Sequence, residues 1–204
     1  MRLLAALCVL VALVGPTDRS LAADPRYPDW PCAQAKVPEI SLAAVWNGPA
    51  LDDAANRWND DAKVSALVPR LAARRTPLEE AEKLIAAFLS EAPAQKSERG
   101  KLLFAGLFDT LNAQRSSVMS GIERVTRKQR EAADKIHADT RALQALQDAS
   151  PPDQAKIDEL GNQLVWETRI FEDRRRVIKF VCEVPTTIDQ RLFALGHAIQ
   201  QEME

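Results

Sequence analysis

The chain of 204 residues carries 27 Lys and Arg against 29 Asp and Glu, which gives a formal net charge of −2 at pH 7. A chain this close to neutrality lacks the basic excess that general nucleic-acid binding requires, so the composition argues against a nucleic-acid partner. The length fits one domain, and 7 glycines leave little material for a loop that cradles phosphate.

The first 22 residues have the pattern of a secretory signal peptide. Arg2 precedes an apolar run over Leu3–Val14, and the small residues Ser20 and Ala22 offer the −3 and −1 positions of a cleavage point. The run is shorter than the about 20 residues that cross a bilayer, and no other run approaches that length, so we expect no stable membrane span. We predict that residues 1–22 are removed, that 23–204 form one helical domain, and that the protein is exported to a bacterial periplasm.

Two cysteines, Cys32 and Cys182, remain after removal of the signal peptide, because Cys8 lies inside the apolar run. Their spacing does not fit a CxxC redox pair, a haem attachment site or a zinc cluster. In an oxidising compartment an even count favours one disulfide, which would close a long loop and stabilise the fold by about 5 kcal/mol. The alternative is a pair of separate buried thiols.

The mature chain begins with a segment rich in proline and tryptophan, over residues 23–52. Proline removes a backbone donor and restrains the preceding residue, so a helix of any length is not expected here. The segment nevertheless carries many large apolar residues, including Trp30 and Trp46, which a disordered tail would lack. We predict an extended arm that lies on the helical body and is fastened by Cys32.

Short helices are predicted over residues 53–92. One runs from about Ala62, and Pro69 is expected to kink or split it. The next begins at Thr76, where Thr76 and Glu79 match a capping box and Pro77 fits the first turn.

A long helical hairpin is predicted over residues 97–183. No proline interrupts residues 97–148, and apolar residues recur at alternating intervals of four and three, the spacing of a coiled-coil seam. The Pro151-Pro152 pair forces a turn, after which a second seam follows, so the two segments indicate an antiparallel hairpin. Polar residues interrupt the two seams at Arg115, Gln129, Asp139, Glu167 and Arg174.

The second arm of the hairpin is shorter than the first and covers only its distal half. The apolar residues Phe104, Phe108 and Leu111 therefore need another cover, for which the helix at Thr76 and a C-terminal helix over 187–204 are the candidates. These expectations define an all-α fold: a helical base, a long antiparallel coiled-coil hairpin that protrudes as a stalk, and an extended Pro/Trp-rich N-terminal arm.

No catalytic, metal-binding or cofactor-binding constellation is predicted. The two histidines, His137 and His197, are far apart and lack a second ligand at helical spacing, so both are interpreted as solvated. Neighbouring acidic residues such as Glu79 and Glu80 fit helix starts better than acid–base chemistry.

A basic cluster beside an aromatic residue is the candidate partner-binding surface of the stalk. One interpretation is a solvated coiled-coil face with polar contacts that fix the register. The other is a docking site for an acidic partner or an anionic head group. The residues of this surface are Arg174, Arg175, Arg176, Lys179, Trp166, Arg127 and Arg130.

The function expected from these features is binding without catalysis, in an accessory, scaffold or chaperone-like role towards another protein of the cell envelope. Long helical arms present large surfaces, and the chain supplies no nucleophile, metal cage or cofactor loop. The second hypothesis is a small-ligand or metal-binding periplasmic module with a tryptophan-lined pocket in the base, and the third is a hydrolase. The sequence sets no oligomeric state.

Overall fold

The computed structural model describes residues 24–204, and the predicted signal peptide at 1–22 lies outside the described residues. Within residues 24–204 the fold is all-α, as predicted, with short 3-10 turns at Trp58–Asp60 and Pro93–Gln95. The α-helices in chain order are α1 (Leu42–Val45), α2 (Ala54–Arg57), α3 (Ala62–Ala72), α4 (Leu78–Ser90), α5 (Lys96–Asp148), α6 (Gln154–Val181) and α7 (Val184–Met203).

The hairpin is made by α5 and α6. Helix α5 has 53 residues and runs without a break through Gly121, so it is roughly 80 Å long at 1.5 Å per residue. Helix α6 has 28 residues and packs along the distal part of α5. Side-chain contacts join Gln129 to Phe171 and Lys135 to Glu167, so the two helices run antiparallel. The predicted hairpin and its turn at 149–153 are confirmed.

The base surrounds the proximal part of α5. Six consecutive residues, 102–107, are all buried, and a helix that is buried on every side must be covered by several neighbours. Helices α7 and α3 make the extensive contacts with α5, whereas α4 packs mainly on α7. The C-terminal helix therefore covers α5 as predicted. The helix expected to start at Thr76, which is α4, was also predicted to cover this part of α5. Helix α3 covers it instead, and its Val68 lies beside Gly106.

The predicted capping box at Thr76 is wrong. Helix α4 begins at Leu78, its N-cap residue is Pro77, and no side chain caps it. The Thr76 hydroxyl donates instead to the carbonyl oxygen of Arg70 at 2.8 Å, and Thr76 is buried. The guanidinium of Arg191 donates to the carbonyl oxygens of Leu71 and Thr76, so this hydroxyl and α7 together fix the α3–α4 connection.

Two prolines lie within helices rather than ending them. Pro69 does not split α3, which continues through it to Ala72, and its missing N–H removes one backbone hydrogen bond. The last helix begins at Val184 and not at residue 187 as predicted. Pro185 occupies its first turn, where the missing N–H has no intrahelical acceptor. The Thr187 hydroxyl donates to the carbonyl oxygen of Glu183 at 3.0 Å instead of capping the helix.

The arm over residues 24–53 is irregular apart from α1, and a disulfide and a core tryptophan are among the contacts that hold it. The predicted disulfide joins Cys32 to Cys182 at the α6–α7 connection. The Trp46 ring stacks on the buried Phe104 ring with centroids 4.2 Å apart, and its Nε1 donates to the Pro49 carbonyl at 2.8 Å. Trp46 is therefore part of the core.

Replacing both Cys32 and Cys182 by serine should lower the free energy of unfolding by about 2–5 kcal/mol, because the bridge spans a sequence separation of 150 residues. Urea unfolding of the oxidised protein and the double variant measures this difference. Equal midpoints for the two proteins would contradict the prediction.

A pair of alanine substitutions in α5 should have opposite effects. A Cβ at Gly106 would lie 2.7 Å from Val68 and 2.8 Å from the Trp58 ring, so Gly106→Ala should destabilise the fold by about 1–3 kcal/mol. A Cβ at Gly121 meets nothing within 4 Å, so Gly121→Ala should stabilise it by about 0.5–1 kcal/mol. Urea midpoints measured by circular dichroism compare the two, and a shift of both in the same direction would contradict the packing described.

Candidate functional site

Arg115 joins three parts of the base. Its side chain is only 4% exposed, and its guanidinium donates to the carbonyl oxygens of Val37 at 2.6 Å and Pro38 at 3.2 Å. The same guanidinium pairs with the Asp189 carboxylate of α7 at 2.7 Å. The seam interruption at Arg115 is therefore an internal clasp that holds the arm and α7 against α5.

A cavity of about 500 Å³ lies beside this clasp, between the arm and α7. Its walls include Val37, Ile40 and Phe193, so it is not lined by tryptophan as the ligand-binding hypothesis expected.

Burial raises the pKa of Asp189, and the opposing effect of Arg115 is smaller. Because the pKa of Asp189 is higher in the folded than in the unfolded state, this group contributes less to the free energy of unfolding as the pH rises through its folded-state pKa.

Polar residues occupy the middle of the α5–α6 interface. The buried Gln129 side chain donates to the Phe171 carbonyl at 3.0 Å. Lys135 pairs with Asp139 at 2.6 Å and with Glu167 at 2.7 Å, and these hydrogen bonds raise the pKa of Lys135. These contacts are specific to one alignment of the two helices, so they fix the register of the hairpin.

Arg174, predicted as a polar residue inside the seam, is not buried between the two helices. The side chain is exposed and lines a groove between α5 and α6. A seam position predicted by heptad spacing therefore borders an open groove here and not a packed interface.

The predicted partner-binding cations, Arg174 among them, fall into two groups. Arg127 and Arg130 both pair with Asp29 of the arm, and Arg176 pairs with Asp173. These three cations have acidic partners within the chain. Within residues 24–204, no acidic side chain forms an ion pair with the exposed residues Arg174, Arg175 and Lys179.

An exposed apolar row runs along the outward face of α6. No residue of α6 is buried, although the helix carries many large apolar side chains. Positions 166, 170, 173, 177 and 180 alternate by four and three, and Asp173 is the one polar member. We call the apolar members the outer stripe; their exposed fractions are 65% for Trp166, 41% for Ile170, 56% for Val177 and 78% for Phe180.

The outer stripe borders an open groove between α5 and α6, close to the disulfide end of the hairpin. The groove has a volume of about 480 Å³ and an almost wholly apolar lining. Gly121 leaves free space on the α5 wall, since a Cβ placed there meets no atom within 4 Å. We call this the apolar groove; its lining residues are Val118, Gly121, Ile122, Val125, Asp173, Arg174, Val177, Ile178 and Val181.

Sequence reasoning found only Trp166 of the outer stripe. The missed signal was a second four-three spacing on the same helix, one face away from the seam with α5. If each helix is assumed to have one apolar seam, the apolar residues of a second face are not recognised as a set.

Both histidines are exposed; His137 lies on the stalk, and His197 lies 3.1 Å from the Gln201 amide nitrogen. Residues 24–204 bring together no group of three His, Cys, Asp or Glu side chains suited to a metal ion. Over the same range, no helix is long and apolar enough to cross a membrane.

A scan of the chain against protein-family models found no match, and searches of curated proteins and of solved structures also found none. The case for a function therefore depends on the chemistry of the surfaces described above.

Replacing Arg115 by lysine should loosen the arm. Lysine keeps the charge but cannot span two carbonyl oxygens and a carboxylate with one planar group, so we expect a loss of about 1–3 kcal/mol in stability. Amide hydrogen exchange over residues 33–41 should become faster. The matched control is Arg141→Lys, at an exposed stalk position, and equal exchange in the two variants would contradict the clasp.

Proposed function

We propose that the protein is an exported, non-catalytic binding protein that engages another protein of the cell envelope through its hairpin. It acts in the periplasm in an accessory or scaffold role. The base supplies stability, and the stalk presents the binding surface.

The outer stripe carries this proposal. Contiguous exposed apolar surface is costly in water and marks interaction sites, whereas single exposed apolar residues are ordinary. The contacts that Gln129 and Lys135 make with α6 use no side chain of the outer stripe, so they do not account for its exposed apolar residues. Tryptophan and phenylalanine are also the side chains that most often dominate binding energy at protein interfaces.

A small-ligand module is the second candidate, and the cavity of about 500 Å³ beside Arg115 favours it. The polar groups that border this cavity already serve the fold, because Arg115 binds two carbonyl oxygens of the arm and pairs with Asp189. A ligand would have to compete with these contacts. The outer stripe has no such internal partner and supports protein binding better.

The experiment is site-specific photo-crosslinking in the periplasm. A photoreactive amino acid at position 166 should capture a distinct envelope protein, and the same group at Lys83, an exposed residue of α4, should not. Replacing Trp166 and Phe180 by serine should weaken binding of the purified captured protein by at least about 30-fold, the effect of losing one interface hot spot.

The control variant Leu78→Ser removes an exposed apolar side chain from α4 and should leave binding unchanged. Circular dichroism confirms that each variant is folded. Equal capture from positions 166 and 83, or unchanged affinity of the Trp166/Phe180 variant, would contradict the proposed function.

A further inference from the structure

The outer stripe and the apolar groove form one continuous surface, since Val177 belongs to both and Asp173, in the row of the stripe, also lines the groove. The row from Trp166 to Phe180 covers four turns of α6, roughly 21 Å. Alternation by four and three is the spacing by which one α-helix packs along another in a left-handed coiled coil. A surface with this period fits an α-helical partner, because an extended strand presents side chains at a period of two.

The α5 wall of the groove is suited to close approach of such a helix. Gly121 has no side chain, and the space next to it is open. Val125 follows one turn later and is 40% exposed, although its neighbour Ile122 is buried. A helix in the groove would contact Val125 on one side and Val177 on the other, and would complete a three-helix bundle with the hairpin.

The charges around this surface select the partner. Arg124 and Lys128 lie on α5, three residues after the groove residues Gly121 and Val125 respectively, and Arg174 lines the groove itself. Arg169 lies on the far side of the outer stripe. All four side chains are exposed, and none of them forms an ion pair with an acidic side chain of residues 24–204. The rim of the surface is therefore basic on both sides.

These charges also disfavour a second copy of this chain as the occupant. In an antiparallel pair of α6 helices, each flank of one helix meets the same flank of the other. Between residues 166 and 180 the outer flank contains Arg169, Lys179 and Arg176, the last of which pairs with Asp173, against the one acid Glu172, so two copies would place like charges together.

We propose that the apolar groove and the outer stripe bind an amphipathic α-helix of another protein, whose apolar seam is flanked by acidic residues. This inference rests on the proposed function and specifies the partner's chemistry. Apolar contacts along the seam supply affinity, and pairing of the partner's carboxylates with the basic rim supplies specificity.

The test uses the full mature protein and synthetic helical peptides of about three heptads, a length that covers the surface. The probe has leucine and isoleucine at the seam positions and glutamate at the flanking positions. A second peptide carries lysine at the flanking positions and is otherwise identical. Fluorescence anisotropy should show binding of the glutamate peptide, weaker binding at high salt, and at least about tenfold weaker binding of the lysine peptide.

A pair of glycine variants locates the site. Gly121→Trp fills the groove and should weaken binding of the glutamate peptide at least about tenfold. Gly161→Trp is the matched control, because a Cβ at Gly161 would likewise meet no atom within 4 Å and this helical position lies away from the groove. Equal affinities of these two variants would overturn the proposed site.

Two double charge-reversal variants test the role of the basic rim. Arg124→Glu with Arg174→Glu should abolish the preference for the glutamate peptide, and Arg74→Glu with Arg75→Glu, at exposed positions before α4, should preserve it. Equal binding of both peptides to the native protein would overturn the acidic-helix assignment. If neither peptide binds while position 166 still captures an envelope protein, this inference is wrong and the proposed function stands.

Discussion

The proximal part of α5 must be covered on every side, and the placement of the other elements follows from this constraint. Residues 102–107 are buried without interruption, which a helix achieves only when neighbours surround it. Helices α3 and α7 take two of its sides, and the arm supplies a third contact through Trp46 on Phe104. The arm itself has little regular structure, so the disulfide at Cys32 and the clasp at Arg115 hold it in place.

The distal part of α5 is in a different environment, because α6 is its one helical neighbour there within the described residues. A two-helix interface covers one face of each helix only partly and leaves the others in water. No residue of α6 is buried, and the polar contacts at Gln129 and Lys135 contribute to alignment more than to stability. The base therefore provides the stability of the fold, and the stalk is free to carry surface that the fold does not need. The outer stripe is such a surface.

The features that sequence reasoning predicted are those governed by local covalent rules or by period. Pro151-Pro152 ends a helix wherever it occurs, and a long four-three repeat without proline has few alternatives to a coiled coil. The missed features depend on tertiary partners. The Thr76 hydroxyl had a backbone acceptor at Arg70 that no local motif reveals. Heptad spacing placed Arg174 inside the seam because it does not show that the seam borders an open groove at this level, and the second seam of α6 was hidden by the first.

Amide hydrogen exchange on the isolated protein tests this division between base and stalk most directly. The account predicts the slowest exchange in α5 over residues 100–119 and in α7 over 188–199, with faster exchange over 165–181 of α6, which is packed on one side only. Exchange over 165–181 that is as slow as in the proximal part of α5 would contradict the account, because it would mean that the outward face of α6 is covered or that the hairpin is part of the core.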